Sequence, residues 1–340
     1  MKKKIILYLL GALGLGVILG RSLTSSSPRS LPEPPARRLY AMNVVYSAWP
    51  GWQVPMNILK RISEVTPGLQ TSFGGTPDGD PSKQIEMLDA LIAQKVSGII
   101  ICPGDSKTLR PTINKVVSKG IPVVTMFDDV DGSGRSTFIT SANRATARKL
   151  AERIIQKTKP TESPHEQTEV LISFMKPGIS NQDERLAGVK QALEDAPWLK
   201  LVDVVRDEAD DAKGTEVISA ALTRNPDLQI VFGIDSRAAT GAIAAFKERG
   251  IAKGQIIITG WDSDEDVLRG VQDGWVKAVS APNIGYMTKL SVAILEAQTL
   301  GYLKPGVGEV HLPSIPDKID IAQTLVTASN VLDILNKGAK

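Results

Sequence analysis

One cysteine, Cys102, and two histidines, His165 and His311, are all that this 340-residue chain holds of the residue types that most often build disulfides and zinc sites. An internal disulfide is excluded, and so is the usual histidine and cysteine zinc site. Cys102 follows the apolar run Gly98-Ile99-Ile100-Ile101, which marks it as a core residue rather than a reactive one. The Walker A spacing is absent, as is the Gly-x-Ser-x-Gly nucleophile turn, and neither histidine has a serine and an acid in its local setting. Beyond residue 21 no stretch approaches the ~20 apolar residues that cross a bilayer. No repeat of solenoid or propeller period occurs.

What is present is an ordinary water-soluble composition, 42% hydrophobic and 23% charged, in a chain long enough for two domains. The formal charge is +3, but residues 1–40 hold seven basic side chains against one acid. The remainder therefore carries 33 basic and 36 acidic groups, and its net charge of −3 argues against nucleic acid as a partner. Lys2, Lys3 and Lys4 precede an uncharged stretch from Ile5 to Gly20, with Arg21 after it, which is the pattern of an export signal. Residues 1–21 are read as a signal or signal-anchor, with a membrane tether through residues 5–20 if the segment is retained. The positive-inside rule then puts residue 22 onward outside the cytoplasm. The glycine spacing GALGLG lies inside this export segment and follows no strand, so it is no nucleotide site. Residues 22–39, rich in Ser and Pro, read as an extended linker.

From Tyr40 onward, short β-type runs alternate with helical patterns. Strands are predicted at Met42–Ser47, Leu69–Phe73, Gly98–Cys102, Pro122–Met126 and Thr137–Thr140, then at Glu169–Phe174, Leu199–Val205, Gln229–Phe232, Gln255–Thr259 and Val276–Ser280. Helices are predicted over Ser82–Gln94, where Ile85, Leu88 and Ile92 share a face, and over Gln182–Glu194, where Leu186, Val189 and Leu193 do. Apolar strands separated by such helices imply an α/β protein whose parallel sheets are covered on both faces. Ten strands divide near Asn143 into two doubly wound parallel-sheet lobes.

Ligands of such sheets bind beyond the carboxyl ends of the strands. The residues just after the strands are Trp49 and Trp52, Asp105, then Phe127 with Asp128 and Asp129; in the second half they are Asn181 and Arg185, Asp207, Asp235, Trp261 with Asp262, and Asn283. Planar carboxylate, amide and guanidinium groups match sugar hydroxyls, and indole rings match the apolar face of a pyranose. Against this, an acid at a strand-to-helix junction is commonly a helix cap, a reading that weighs most on Asp80, Asp105 and Asp262. Asp129 to Gly134 (DVDGSG) begins like a calcium loop, but Thr140 stands where a bidentate acid is required, so it is read as a turn.

The segments GGTPDGDPSKQIEMLDALIAQKVSGIIICPGDS, NQDERLAGVKQAL, VFGIDSRAATGAIAAFKERG, IIITGWDSDEDVLRGVQDGWVKA and LVTASNVLDIL, in this order, resemble the ribose-type periplasmic solute-binding proteins of ABC importers over residues 41–335. The resemblance implies two similar lobes closing over ligand, joined by three chain crossings near Ser141–Asn143, Ala281–Asn283 and His311–Leu312. The N-terminal lobe would be 40–142 plus 283–310, and the C-terminal lobe 143–282 plus 311–340. It also implies ligand contacts. Trp49 and Trp52 match the family's aromatic pair, and Asp129 the second acid of its T-x-D-x-D stretch; Phe127 stands where the first acid is expected, with Asp128 one place on. Asn181 and Arg185 match N-x-x-x-R-x-x-G. Asp235 occupies the place of a binding Asn, Trp261 and Asp262 the aromatic-Asp pair, and Asn283 lies beside Pro282, where a Gln is common.

The expectation is therefore a monomeric, exported binding protein of the periplasm that takes a small sugar and presents it to a membrane ABC permease, with no cofactor and no catalysis. A sensory binding protein for a sugar or autoinducer-2 is the alternative. Repressors sharing this core carry an N-terminal helix-turn-helix, where this chain has an export signal. An exported hydrolase would need a nucleophile and base that do not assemble here.

Overall fold

The runs with no polar interruption become the middle of two sheets, because a strand covered by helices on both faces has no solvent side to mark. Gly98–Ile101 (β3) and Val123–Met126 (β4) are buried at every position. In this computed structural model, which describes residues 37–158, 167–303 and 315–338, they sit in a six-stranded parallel sheet. Its other members are Arg38–Val44 (β1), Leu69–Gly75 (β2), Thr137–Ser141 (β5) and Lys318–Ile321 (β11), in the order β11-β5-β4-β3-β1-β2. The second sheet holds Thr168–Phe174 (β6), Leu199–Arg206 (β7), Leu228–Gly233 (β8), Ile257–Trp261 (β9), Val276–Ala281 (β10) and Thr324–Val326 (β12). It runs β12-β10-β9-β8-β6-β7, with β12 alone antiparallel.

Helices Gln53–Val65 (α1), Pro81–Ala93 (α2), Ser106–Ser118 (α3) and Ile284–Thr299 (α9) cover the first sheet. Asn143–Thr158 (α4), Ser180–Glu194 (α5), Asp211–Arg224 (α6), Ser236–Glu248 (α7), Glu265–Gln272 (α8) and Val331–Gly338 (α10) belong to the second. Each sheet is lined on its two faces by separate apolar clusters, one around Ile99, Ile101 and Leu109 and one around Met42, Ile100 and Leu295 in the first lobe. Aspartates start several helices: Asp80 accepts from Ser82 N at 2.8 Å, Asp105 from Thr108 N at 2.6 Å and Asp235 from Ala238 N at 2.8 Å.

The strand order doubles back between β1 and β3 and again between β6 and β8, so each lobe has a crevice at that reversal. The chain crosses between lobes at Ala142, again at Pro282–Asn283, and last at Ala322–Gln323. The expected third crossing, His311–Leu312, lies outside the described residues, as do His165, residues 5–20 and residues 22–36 of the linker. The sequence pattern predicts ten strands, and the resemblance implies that 311–340 lie wholly in the second lobe. Instead Lys318–Ile321 pairs in parallel with β5 of the first sheet, and only the residues after Ile321 join the second. These two strands are four and three residues long at sheet edges, too short for a continuous apolar run to mark them. β1 also begins at Arg38, inside the expected linker. No helix among the described residues is long and apolar enough to cross a membrane.

Candidate functional site

The loops beyond the two crevices face each other, and between them lies a cavity of about 260 Å³. The first lobe contributes Val45, Tyr46 and Trp49 after β1, Cys102 and Gly104 after β3, and Phe127 and Asp128 after β4. The second contributes Asn181 and Arg185 of α5, Asp235 with Ser236 and Arg237 after β8, and Asp262 after β9. Of the six non-glycine residues with positive φ among the described residues, four line it: Tyr46 (49°), Phe127 (68°), Ala209 (61°) and Asp262 (70°). Each such residue costs on the order of 1 kcal/mol or more, and such strain concentrates at functional sites. Phe127 and Asp262 occupy equivalent places, each directly after the fourth strand of its own lobe.

One wall is aromatic. Trp49 meets Trp52 edge to face at 5.0 Å and Phe127 at 6.4 Å, while Trp52 meets Phe127 at 5.8 Å. Trp52 is nearly buried, and its indole N–H donates to Tyr46 O at 3.0 Å, fixing the turn that carries Trp49. Trp49 lies over Gly51, where any Cβ would run into its ring. Behind β3, the buried Gln84 donates to Cys102 O at 2.9 Å and accepts from Gly104 N at 3.0 Å, holding that loop against the cavity.

The opposite wall is charged. Arg185, 3% exposed, donates to Asn143 Oδ1 at 3.1 Å and Ile234 O at 3.0 Å, and lies 4.4 Å over the Trp261 ring. Burial lowers its basicity against the pull of Asp262, Asp235 and Asp128. Burial pushes the Asp262 carboxyl from 3.8 up to about 7, opposed by Arg185 and reinforced by Asp264. Asp235 is held well above the usual carboxylate range, by burial first and by neighbouring Asp207 second. Its Oδ1 caps α7, and its Oδ2 has no hydrogen-bond partner.

Among the described residues two hydrogen-bonded contacts join the lobes across the cavity, and Lys176 of the second lobe lies 5.9 Å over the Tyr46 ring of the first. Asn181 gives Asp128 both of its donors, N to Oδ1 at 2.9 Å and Nδ2 to Oδ2 at 2.7 Å. Burial nevertheless raises Asp128 to about 6, against those bonds and Arg185. At the rim, Trp49 Nε1 donates to Asp264 Oδ2 at 2.9 Å.

Of the residues singled out in the sequence, Trp49, Trp52, Asp128, Asn181, Arg185, Asp235 and Asp262 come together here. Four do not. Trp261 is fully buried under Arg185 and has no face free for stacking. Asp105 caps α3, and Asn283 caps α9 through Tyr286 N at 3.1 Å. Asp129 is turned away to Arg135, whose guanidinium also holds Asp317 at 2.8 Å, so it anchors the approach to β11. Asp235 is a cap as well as a cavity residue. Tyr46, Ser236, Arg237 and the rim acid Asp264 were missed; only the repeated acid in Trp261-Asp-Ser-Asp264 hinted at the last.

A family model described as a periplasmic binding protein domain matches residues 61–302. The D-ribose/D-allose-binding protein of Pseudomonas aeruginosa is 29% identical over 257 residues, 72% of this chain and 78% of that protein. An ABC transporter solute-binding protein from Burkholderia graminis, solved in complex with D-arabinose, superposes with a TM-score of 0.75 at 26% identity, covering 87% of this chain and 97% of that one. A sugar-binding protein of a Bacillus halodurans ABC transporter shares the fold, with a TM-score of 0.76 over 86% of this chain and 99% of its own, at 24% identity. With 242 of its 340 residues inside the family model and a cavity between two doubly wound lobes, the chain belongs to the periplasmic binding proteins.

Proposed function

We propose that this chain captures a small sugar between its lobes, outside the cytoplasm, and presents the closed form to a membrane ABC importer. The observation that carries this reading is the pairing of an aromatic wall with a wall of planar polar groups, supplied by different lobes around one small cavity. At about 260 Å³ the cavity falls just under the usual ligand range of ~300 to 1,000 Å³, which suits a monosaccharide rather than an oligosaccharide. The named sugars of the relatives, ribose, allose and arabinose, are of that size.

Trp49 would stack on the sugar, Asp128, Asn181, Arg185, Asp235 and Asp262 would bond its hydroxyls, and Trp52 would back the stacking ring. Ligand touching both walls favours closure because only the closed form offers both. Residues 1–21 would direct export or anchor the chain, and the adjoining linker would set it off from the membrane. Binding without turnover fits the relatives, which are transport proteins. Mass spectrometry of ligand released from the purified chain, with calorimetry on that compound afterwards, tests the reading. A monosaccharide bound with micromolar or tighter affinity is expected, and failure of every sugar to bind would overturn it.

A further inference from the structure

The charged groups facing the cavity do not balance. Three carboxyls line it, Asp128, Asp235 and Asp262, and Asp207 and Asp264 stand close behind the last two. Two guanidiniums oppose them, Arg185 and Arg237, and Arg237 divides its charge between Asp262 and Asp264 on one side and Asp211, 3.1 Å away on α6, on the other. Arg185 is nearest to the lining acids, and two of its donors already go to Asn143 and to Ile234 O. Asp128 has its acceptors filled by Asn181, whereas Asp235 is 3% exposed, lines the cavity and has only the Asp207 carboxyl beside it where a donor would be needed. Burial holds Asp235 and Asp262 above the usual carboxylate range, and a positive charge beside them would let both ionise and accept, so the second-lobe wall favours a donor that carries charge. A hydroxyl supplies one donor and no charge; an ammonium supplies three donors and a full charge. The facing wall is compatible with a cation, since the aromatic residues Trp49 and Phe127 line it and the neighbouring Tyr46 ring already receives the Lys176 ammonium at 5.9 Å.

We propose that the ligand is an amino sugar, a monosaccharide carrying one protonated amine, with its ammonium on the wall formed by Asp235 and Asp262 and its ring against Trp49. This rests on the sugar-binding reading above and narrows it. Calorimetry on the full chain with D-glucosamine, D-galactosamine and D-mannosamine, each beside its hydroxyl counterpart, and with D-ribose, D-allose and D-arabinose, tests it. At least one amino sugar is expected to bind tenfold or more tightly than its counterpart and than the three neutral sugars. Asp235→Asn keeps an oxygen for the α7 cap, so the fold should survive; it and Asp262→Asn should each shrink the preference at least fivefold. A neutral sugar that binds more tightly than every amino sugar overturns the proposal and leaves the sugar-binding reading standing. No binding by any of the sugars overturns both, and a preference that neither variant moves overturns the placement of the amine.

Discussion

Asp128→Asn separates the cost of a buried carboxylate from the value of the bond it makes across the lobes. Burial raises Asp128 from 3.8 to about 6, so between those values the folded protein holds a proton that the unfolded chain has released. A group that binds protons more tightly when folded contributes stability that is fully present below its unfolded value and is lost as the pH rises through its folded value. At ~1.4 kcal/mol for each pH unit, the whole loss is roughly 3 kcal/mol, of which ~2 kcal/mol falls between pH 4.5 and 7. The amide has no such proton, so this part of the pH dependence disappears in the variant. What the variant gives up is one of the two acceptors for Asn181, worth ~1.5 to 3 kcal/mol when the acceptor is charged and less when it is protonated. Wild type should therefore exceed Asp128→Asn in stability most at pH 4.5, and the gap should narrow or reverse by pH 7. Urea unfolding of both proteins at half-unit intervals of pH measures the difference directly, and other acids cancel in it. A gap that stays constant to within ~0.5 kcal/mol over this range would refute the assignment of that proton to Asp128.

Trp49→Phe keeps an aromatic ring, though a smaller one, and removes the donor to Asp264, so the closed, ligand-free arrangement should lose ~1 to 2 kcal/mol. Small-angle scattering of the free protein should show a larger radius of gyration; an unchanged radius would mean the rim bond does not hold the lobes. Asp105→Ala removes a cap that lies away from the cavity, and is expected to cost ~1 kcal/mol of stability with ligand affinity unaltered, as thermal melting and calorimetry would show.

Continuous apolar runs such as Gly98-Ile99-Ile100-Ile101 exposed the central strands because full burial leaves its mark on every residue. The edges were harder. In Lys318–Ile321, polar and apolar residues alternate over four positions, and its place beside β5 depends on Arg135 reaching Asp317, a pairing 182 residues apart. Within the site, position after a strand was legible but direction was not. Trp261 and Asp262 are neighbours, yet the reversed φ of Asp262 brings it to the cavity while Trp261 ends its strand packed in the core. In the same way Asp128 meets Asn181 across the cleft, and Asp129, one residue on, turns to Arg135. Pairings such as Trp49 with Asp264 depend on how two lobes meet, for which local spacing carries no signal.

All three crossings sit at one side of the molecule, beside β5 and β11 in one sheet and β10 and β12 in the other. The sheets are therefore levers with a common fulcrum. β2 is four strands from β5, a distance of ~19 Å at the usual strand spacing, and β7 is as far from β10. A turn of about 30° about the fulcrum would part those far edges by ~10 Å, while Phe127 and Asp262, one strand out, would separate by only ~2 to 3 Å. The polar floor of the cavity would thus stay nearly assembled in the open form, and the Trp49 side would act as the door through which a ligand enters.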